Sequence, residues 1–183
     1  MNALIVVLVV IAGLFVVIYN RIITLINNRK QAFSDIDVQM KLRYDLIPNL
    51  VETVKGYAAH EKDTLDKITS LRADAMKAGS LSEKAAKESA LVGSLHGLFA
   101  VAEQYPDLKA NQNFLSLQQE LSDIENKIAA ARRFFNNATK EYNSTIGSFP
   151  NNLLCKVFGF HEEKFFDVGD EKSVIDQPVD IKI

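Results

Sequence analysis

The fold is decided by one stretch, residues 114–149, which reads FLSLQQELSDIENKIAAARRFFNNATKEYNSTIGSF. Apolar residues recur in it every seven positions, with a second apolar or small residue between them, as in a heptad pattern. The first set is Phe114, Leu121, Ile128, Phe135, Tyr142 and Phe149. The second set is Leu117, Ile124, Ala131, Ala138 and Thr145. This repeat predicts a long helix, capped by Asn111 or Asn113, with coiled-coil-like packing against other helices.

An earlier apolar stripe with helical spacing predicts a first long helix over residues 27–78, ending at Gly79. The stripe comprises Phe33, Ile36, Met40, Ile47, Leu50, Val54 and Tyr57, with Arg43 at one of its positions. Pro48 lies inside this helix, where a proline costs about 3 kcal/mol or more. A bend at Pro48 is favoured over a helix end there, because the stripe continues beyond it.

Two further helices follow from local signals. Ser80 with Glu83 three residues later forms a capping box, and the helix it begins ends before Pro106. A short helix is expected over residues 150–158, followed by an irregular stretch. The predicted fold class is all-α: an N-terminal transmembrane helix followed by an elongated, antiparallel, up-and-down bundle of three long helices and a short C-terminal helix.

The segment ALIVVLVVIAGLFVVI, residues 3–18, has no polar side chain. As a helix it spans roughly 24 Å, slightly less than a hydrocarbon core of about 30 Å. The apolar pattern continues to Ile26, so Leu4–Ile26 is the predicted anchor. Its representative residues are Leu4, Val10, Phe15, Ile18, Tyr19 and Arg21. A cleaved signal peptide is disfavoured, because no basic residue precedes the run and no small-residue cleavage site follows it.

The charges that flank the anchor predict its orientation. Arg21, Arg29 and Lys30 follow the span, and no basic residue precedes it. The positive-inside rule then places the N-terminus outside and the C-terminal domain in the cytoplasm. The predicted location is the inner, cytoplasmic membrane, crossed once.

The composition offers few signs of catalysis or of nucleic-acid binding. The net charge is −2, so no basic surface for nucleic acid is indicated. His60, His96 and His161 are far apart, and Cys155 is the single cysteine. No phosphate-binding loop or nucleophile motif is present. We therefore predict no catalytic residue, no cofactor and no metal; a metal enzyme that uses the His60 and His161 region is the least favoured alternative.

Two groups of residues are candidate interaction sites. The first contains polar residues at or beside the apolar stripes: Arg43, Asp45, Asn49, Glu125, Asn126 and Arg132. They form either a solvated flank or an inter-helix polar layer in which Arg43 or Asp45 meets Glu125 or Arg132; the layer is preferred. The second contains Phe158, Phe160, Phe165 and Phe166, expected at the membrane-distal end, where they either cap the bundle or form a contact surface.

Several motifs together resemble the LemA family over essentially the whole chain. They are RYDLIPNLV (43–51), VKGYA (54–58), His60-Glu61, YPDLKAN (105–111), LSDIENKIAAAR (121–132), Phe135-Asn136, Tyr142-Asn143, Phe149-Pro150 with Asn152, and Gly159-Phe160. The resemblance implies an anchored antiparallel bundle in the cytoplasm, with no established catalytic activity or cofactor. A branch of the family is associated with magnetosome membranes. Phe135 stands where the family usually has tyrosine, so a hydroxyl role there is not carried over.

The sequence thus predicts three segments: an anchor over 1–26, a LemA-like bundle over 27–160 and an acidic, loosely ordered tail over 161–183. The first function hypothesis is a non-enzymatic scaffold that self-associates and organises membrane. The alternative is an adaptor that holds another membrane protein. The expected partners are the lipid bilayer and further copies of the chain, or that second membrane protein.

Overall fold

The computed structural model describes residues 2–58 and 60–166. Over these residues the chain forms helices and no strand, so the predicted all-α fold class is confirmed. The helices are α1 (Asn2–Lys55), α2 (Lys62–Lys77), α3 (Leu81–Ala102), α4 (Pro106–Lys109), α5 (Gln112–Gly147) and α6 (Asn151–Phe158).

Helix α1 continues through Pro48, as predicted, but it ends at Lys55. The prediction of one helix over 27–78 is therefore wrong. The N–H groups of Tyr57 and Ala58 both donate to the carbonyl of Val54, at 3.0 and 2.8 Å, and close the helix in a turn. Gly56 favours this ending, because glycine costs a helix about 1 kcal/mol relative to alanine. The apolar spacing resumes in α2, whose Leu65, Ile68 and Ala75 are buried. The two stripes therefore look continuous in the sequence, although the helix is interrupted between them.

Three helix caps are formed by residues with the appropriate chemistry. Ser80 Oγ accepts from the Glu83 N–H at 3.2 Å, and the Glu83 carboxylate accepts from the Gly79 N–H, which confirms the predicted start of α3. Asn111 Oδ1 accepts from the Phe114 N–H at 3.0 Å, so Asn111 caps α5. Gly159 ends α6 with a φ of 72°, a conformation that glycine adopts without steric cost.

The chain divides into two compact units. The anchor unit contains residues 2–38 and Ile128–Phe165, that is, the first part of α1, the second part of α5, and α6. The four-helix unit contains Gln39–Lys127 and is named for its four longer helical segments: the end of α1, all of α2 and α3, and the start of α5. It also includes the short helix α4.

In the anchor unit, α1 and α5 run antiparallel. The Phe33 and Phe135 ring centroids are 5.7 Å apart, and Arg21 lies 2.9 Å from Glu141. A buried cluster also joins α1, α5 and α6 in this unit. It consists of Ile22, Leu25, Tyr142, Ile146 and Cys155. Residues 2–17 are exposed. Within the described part of the chain, α1 alone is long and apolar enough to cross a membrane, which fits a single-pass membrane protein.

In the four-helix unit, each long helix contributes one apolar stripe to the core. The stripes comprise Met40, Ile47, Leu50 and Val54 of α1, Leu65, Ile68 and Ala75 of α2, Leu91, Leu95 and Leu98 of α3, and Phe114, Leu121 and Ile124 of α5. Phe114, Leu121 and Ile124 of the heptad pattern are thus buried, as are Ile128, Phe135 and Tyr142 further along α5. The remaining residues of the second heptad set are half-buried: Leu117, Ala131, Ala138 and Thr145. Phe149, two residues beyond the end of α5, is exposed.

Candidate functional site

A buried charge cluster lies in the four-helix unit. Arg43 of α1 and Glu88 of α3 are the two most buried charged side chains among the described residues, at 1% and 0% exposed. The Arg43 guanidinium contacts the Glu88 carboxylate through one terminal nitrogen. Its other terminal nitrogen donates to Glu125 of α5 at 2.5 Å. One arginine therefore joins three helices.

Tyr44 and Arg72 extend this cluster to the fourth helix. The Tyr44 hydroxyl donates to Glu88. The backbone carbonyl of Tyr44 accepts from Nε of Arg72, on α2, at 2.6 Å. Removing a charged group from water costs several kcal/mol per ion. In a buried ion pair, the attraction and the hydrogen bonds offset this cost only when the charged groups are held in good geometry. The cluster consists of Arg43, Tyr44, Arg72, Glu88 and Glu125.

The predicted polar-layer residues have different positions in the structure. Arg43 and Glu125 pair with each other, which is one of the pairings that the hypothesis allowed. Asp45 instead pairs with Lys41 at 2.7 Å on the surface of α1. Asn49 and Asn126 are exposed, and Arg132 is half-buried on the part of α5 that belongs to the anchor unit. A role of these residues in fixing helix register stays a prediction.

Sequence reasoning missed Glu88, the acidic partner at the centre of the cluster. The helical spacing does indicate that Glu88 is buried, because it lies three residues after Ala85 and three before Leu91, on the apolar stripe of α3. A carboxylate at a stripe position requires a partner of opposite charge, and Arg43 occupies the equivalent position on α1. The stripe positions therefore mark Arg43 and Glu88 each as a charge that needs a partner, although the sequence does not specify that they pair with each other.

A cavity of about 470 Å³ lies between α3 and α5, beside the charge cluster. Its apolar lining includes Leu95, Phe99 and Leu115, and its polar lining includes Arg43, Glu125, His96, Gln118 and Asn126. Among residues 2–58 and 60–166, no three His, Cys, Asp or Glu side chains are grouped as they would be around a metal ion. The cavity can accommodate an apolar group with a polar end.

Cys155 is buried in the anchor unit beside Ile22 and Tyr142. Burial raises the pKa of its thiol, because the thiolate would lose its hydration. The thiolate is the reactive form of cysteine. Burial therefore favours the neutral thiol over the reactive thiolate at Cys155.

The aromatic residues after α5 are not at the membrane-distal end, and that prediction is wrong. The rings of Phe158 and Phe160 lie 5.3 and 6.1 Å from the ring of Tyr19, at the end of the predicted anchor. The reason is the direction of α5, which runs antiparallel to α1 in this unit. Phe165 is exposed, but Phe166 is buried, so the four rings do not form one exposed surface.

The segment His161–Lys164 is held against the anchor unit by hydrogen bonds. Tyr142 Oη donates to the His161 carbonyl at 3.1 Å. The Asn143 amide donates to the Glu163 carbonyl and accepts from the Glu163 N–H, both at 2.9 Å. Arg29 donates to the Lys164 carbonyl and pairs with the Glu163 carboxylate. The predicted loose tail therefore does not begin at residue 161; residues 167–183 lie outside the described part of the chain.

Fold and site together define a class: helical-bundle proteins joined to a single apolar helix that fits one membrane span. The chain belongs to the LemA family, whose sequence profile matches residues 32–182. Magnetosome protein MamQ of Magnetospirillum gryphiswaldense is 26% identical over 187 residues, covering 88% of this chain and 68% of the relative. Protein LemA of Metamycoplasma hominis is 29% identical over 171 residues, covering 88% of this chain and 76% of the relative. The family and these relatives suggest a membrane-associated protein.

Proposed function

We propose that this protein is a self-associating scaffold that organises membrane from the cytoplasmic face of the inner membrane. The observation that carries the proposal is the continuity of α1, which extends without a break from an exposed apolar segment into the buried core of the helical units. Because α1 belongs both to the predicted span and to the helical core, association of the spans of two copies would also bring their helical cores together. Relatives named as magnetosome proteins support a membrane-organising role.

The exposed span supplies the surface for self-association. The side chains of residues 2–17 are exposed. A Cβ atom placed on Gly13 would meet no atom of another part of the described chain within 4 Å. In a bilayer, spans associate through close packing and small residues rather than through the hydrophobic effect. The polar cluster around Arg43 and Glu88 would keep the attached helices in one register, so that every copy presents the same surface.

Cysteine cross-linking within the span tests self-association. Single cysteines at Leu14, Phe15, Val16 and Val17 sample successive directions around the helix, 100° apart. We expect oxidation in native membranes to yield disulfide-linked dimers at some of these positions, with a helical preference. Buried Cys155 gives little background. Absence of dimers at all four positions would contradict association through the span.

Thiol labelling tests the proposed orientation. Ser70, exposed on α2, is changed to cysteine, and Asn2→Cys serves as the matched variant before the span. We expect a membrane-impermeant maleimide to label Asn2→Cys in intact spheroplasts, and Ser70→Cys only after the membrane is opened. The parent chain controls for Cys155. Labelling of Ser70→Cys in intact spheroplasts would place the helical units outside.

The second candidate function is an adaptor for another membrane protein. The cavity between α3 and α5 favours it, because Leu95, Phe99 and Leu115 form an apolar lining beside the charged Arg43 and Glu125. Such a site suits an apolar side chain or a short helix with a polar end. This role does not require self-association.

A further inference from the structure

Helix α6 and the turn before it present an apolar face (the α6 face) that stays largely exposed in the described part of the chain. The α6 face consists of Phe149 in the turn and of Leu153, Val157 and Phe158 in the helix, which are 80%, 59%, 79% and 54% exposed. Leu153 and Val157 lie four residues apart and therefore on the same side of the helix. Leu154 and Cys155 are buried, and Phe158, four residues after Leu154, lies at the border between the buried and the exposed side. Helix α6 is thus apolar both towards the protein and away from it.

This α6 face is continuous with the exposed apolar surface of the span. Phe158 packs against Tyr19, one residue after the apolar run that ends at Ile18, and Ile18 itself packs against the cluster that contains Cys155. Aromatic side chains such as Tyr19 are enriched where membrane meets water. The α6 face therefore lies beside Tyr19, with which Phe158 is in direct contact.

The length of the span places α6 at the membrane boundary. A hydrocarbon core of about 30 Å needs about 20 helical residues. A span that begins at Ala3 therefore reaches the level of Ile22, and Ile22 packs in one cluster with Cys155 of α6. Residues 2–17 are exposed, whereas Ile22 and Leu25 are covered by protein. The apolar surface that the lipid meets at this level belongs partly to α6.

We propose that α6 is a second membrane contact, lying in the bilayer interface with Leu153, Val157, Phe149 and Phe158 inserted among the lipids. The inference rests on the proposed membrane anchor and adds to it a contact on one side of the span. Amphipathic helices bind membranes by burying their apolar face at the boundary of headgroups and acyl chains. Lys156, exposed between Leu153 and Val157 in sequence, extends its ammonium group towards the headgroups. This contact fixes the rotation of the anchor unit about the membrane normal.

Single tryptophans in the full-length protein test the contact, because the chain contains no native tryptophan. The reporter variant is Val157→Trp, with Leu153→Trp as a second reporter on the same face. The matched control is Phe134→Trp, at a position of α5 in the same unit that is 57% exposed. Val10→Trp reports on the anchor itself. Each protein is reconstituted into phosphatidylcholine and phosphatidylglycerol vesicles with and without bromine on the acyl chains.

We expect both reporters to lose most of their emission in brominated vesicles and to show blue-shifted emission in plain ones, while Phe134→Trp changes in neither respect. Blue-shifted emission without quenching would mean that protein covers the face, and it would overturn the inference. Unshifted, unquenched reporters beside a quenched Val10→Trp would also overturn it while leaving the anchor intact. An unquenched Val10→Trp would refute the anchor, and the α6 contact with it.

Discussion

Replacing Arg43 by Leu is expected to destabilise the four-helix unit by about 3 to 5 kcal/mol, as removal of one partner from a buried ion pair does. The Glu88 carboxylate, 0% exposed, would lose the guanidinium that pairs with it. Glu125 would lose the same partner, but it is partly exposed and can be hydrated. The measurement is denaturant unfolding of the full-length protein in mild detergent, followed by circular dichroism.

Two further variants show whether buried charge causes that effect. Arg43→Leu combined with Glu88→Gln removes the stranded charge, keeps an acceptor for the Tyr44 hydroxyl and should recover much of the loss. Lys41→Ala breaks the exposed pair with Asp45 and should cost no more than about 1 kcal/mol. An Arg43→Leu variant as stable as the parent, or more stable, would refute the structural role of the cluster.

Truncating Phe135 to Ala should destabilise the anchor unit by about 3 to 5 kcal/mol, the range for a buried phenylalanine. The Phe135 ring is 1% exposed and packs against Phe33. The Arg29 guanidinium lies 4.7 Å from its centroid, so a cation–π contact is lost as well. The measurement is the free energy of unfolding in the same detergent.

Phe134 provides a matched control on the same helix. Its side chain is 57% exposed, so Phe134→Ala removes an equal volume without opening a cavity in the core. We expect a change within about 0.5 kcal/mol, as for ordinary surface substitutions. Equal losses for the two variants would show that α5 does not bury the face that contains Phe135.

The helical architecture could be predicted from the sequence because its signals are local or periodic. Ser80 and Asn111 carry the side-chain oxygens that cap α3 and α5, and both bonds form. The seven-residue repeat from Phe114 to Tyr142 places its members on one buried face. Both kinds of signal depend on a few neighbouring residues, so no knowledge of the partner helices is required.

The end of α1 at Lys55, next to Gly56, could not be predicted in the same way. Apolar spacing records which face of a helix is buried, but it does not record the direction of the chain, and α1 and α2 each bury a stripe. The antiparallel course of α5 beside α1, which brings Phe158 to Tyr19, is likewise a property of the packed helices. The position of the aromatic segment depends on how many long helices precede it. The sequence predicted three long helices in the bundle, whereas the structure has four, α1, α2, α3 and α5.

The charge cluster was predicted in part for a similar reason. Arg43 attracted attention because it interrupts an apolar stripe, and Glu125 was among the partners considered. Glu88 interrupts the stripe of α3 in the same way, but pairing it with Arg43 depends on how two helices are aligned. Helix alignment is set by side-chain packing across the interface, which a single sequence does not specify.

The molecular mass of the full-length protein in lipid discs tests the proposed scaffold most directly, measured by light scattering with the lipid contribution subtracted. We predict one well-defined assembly of several 183-residue chains. Discs that contain a single chain each, over a range of protein-to-lipid ratios, would contradict self-association. That result would favour the adaptor function, with a partner bound at the cavity beside Arg43 and Glu125.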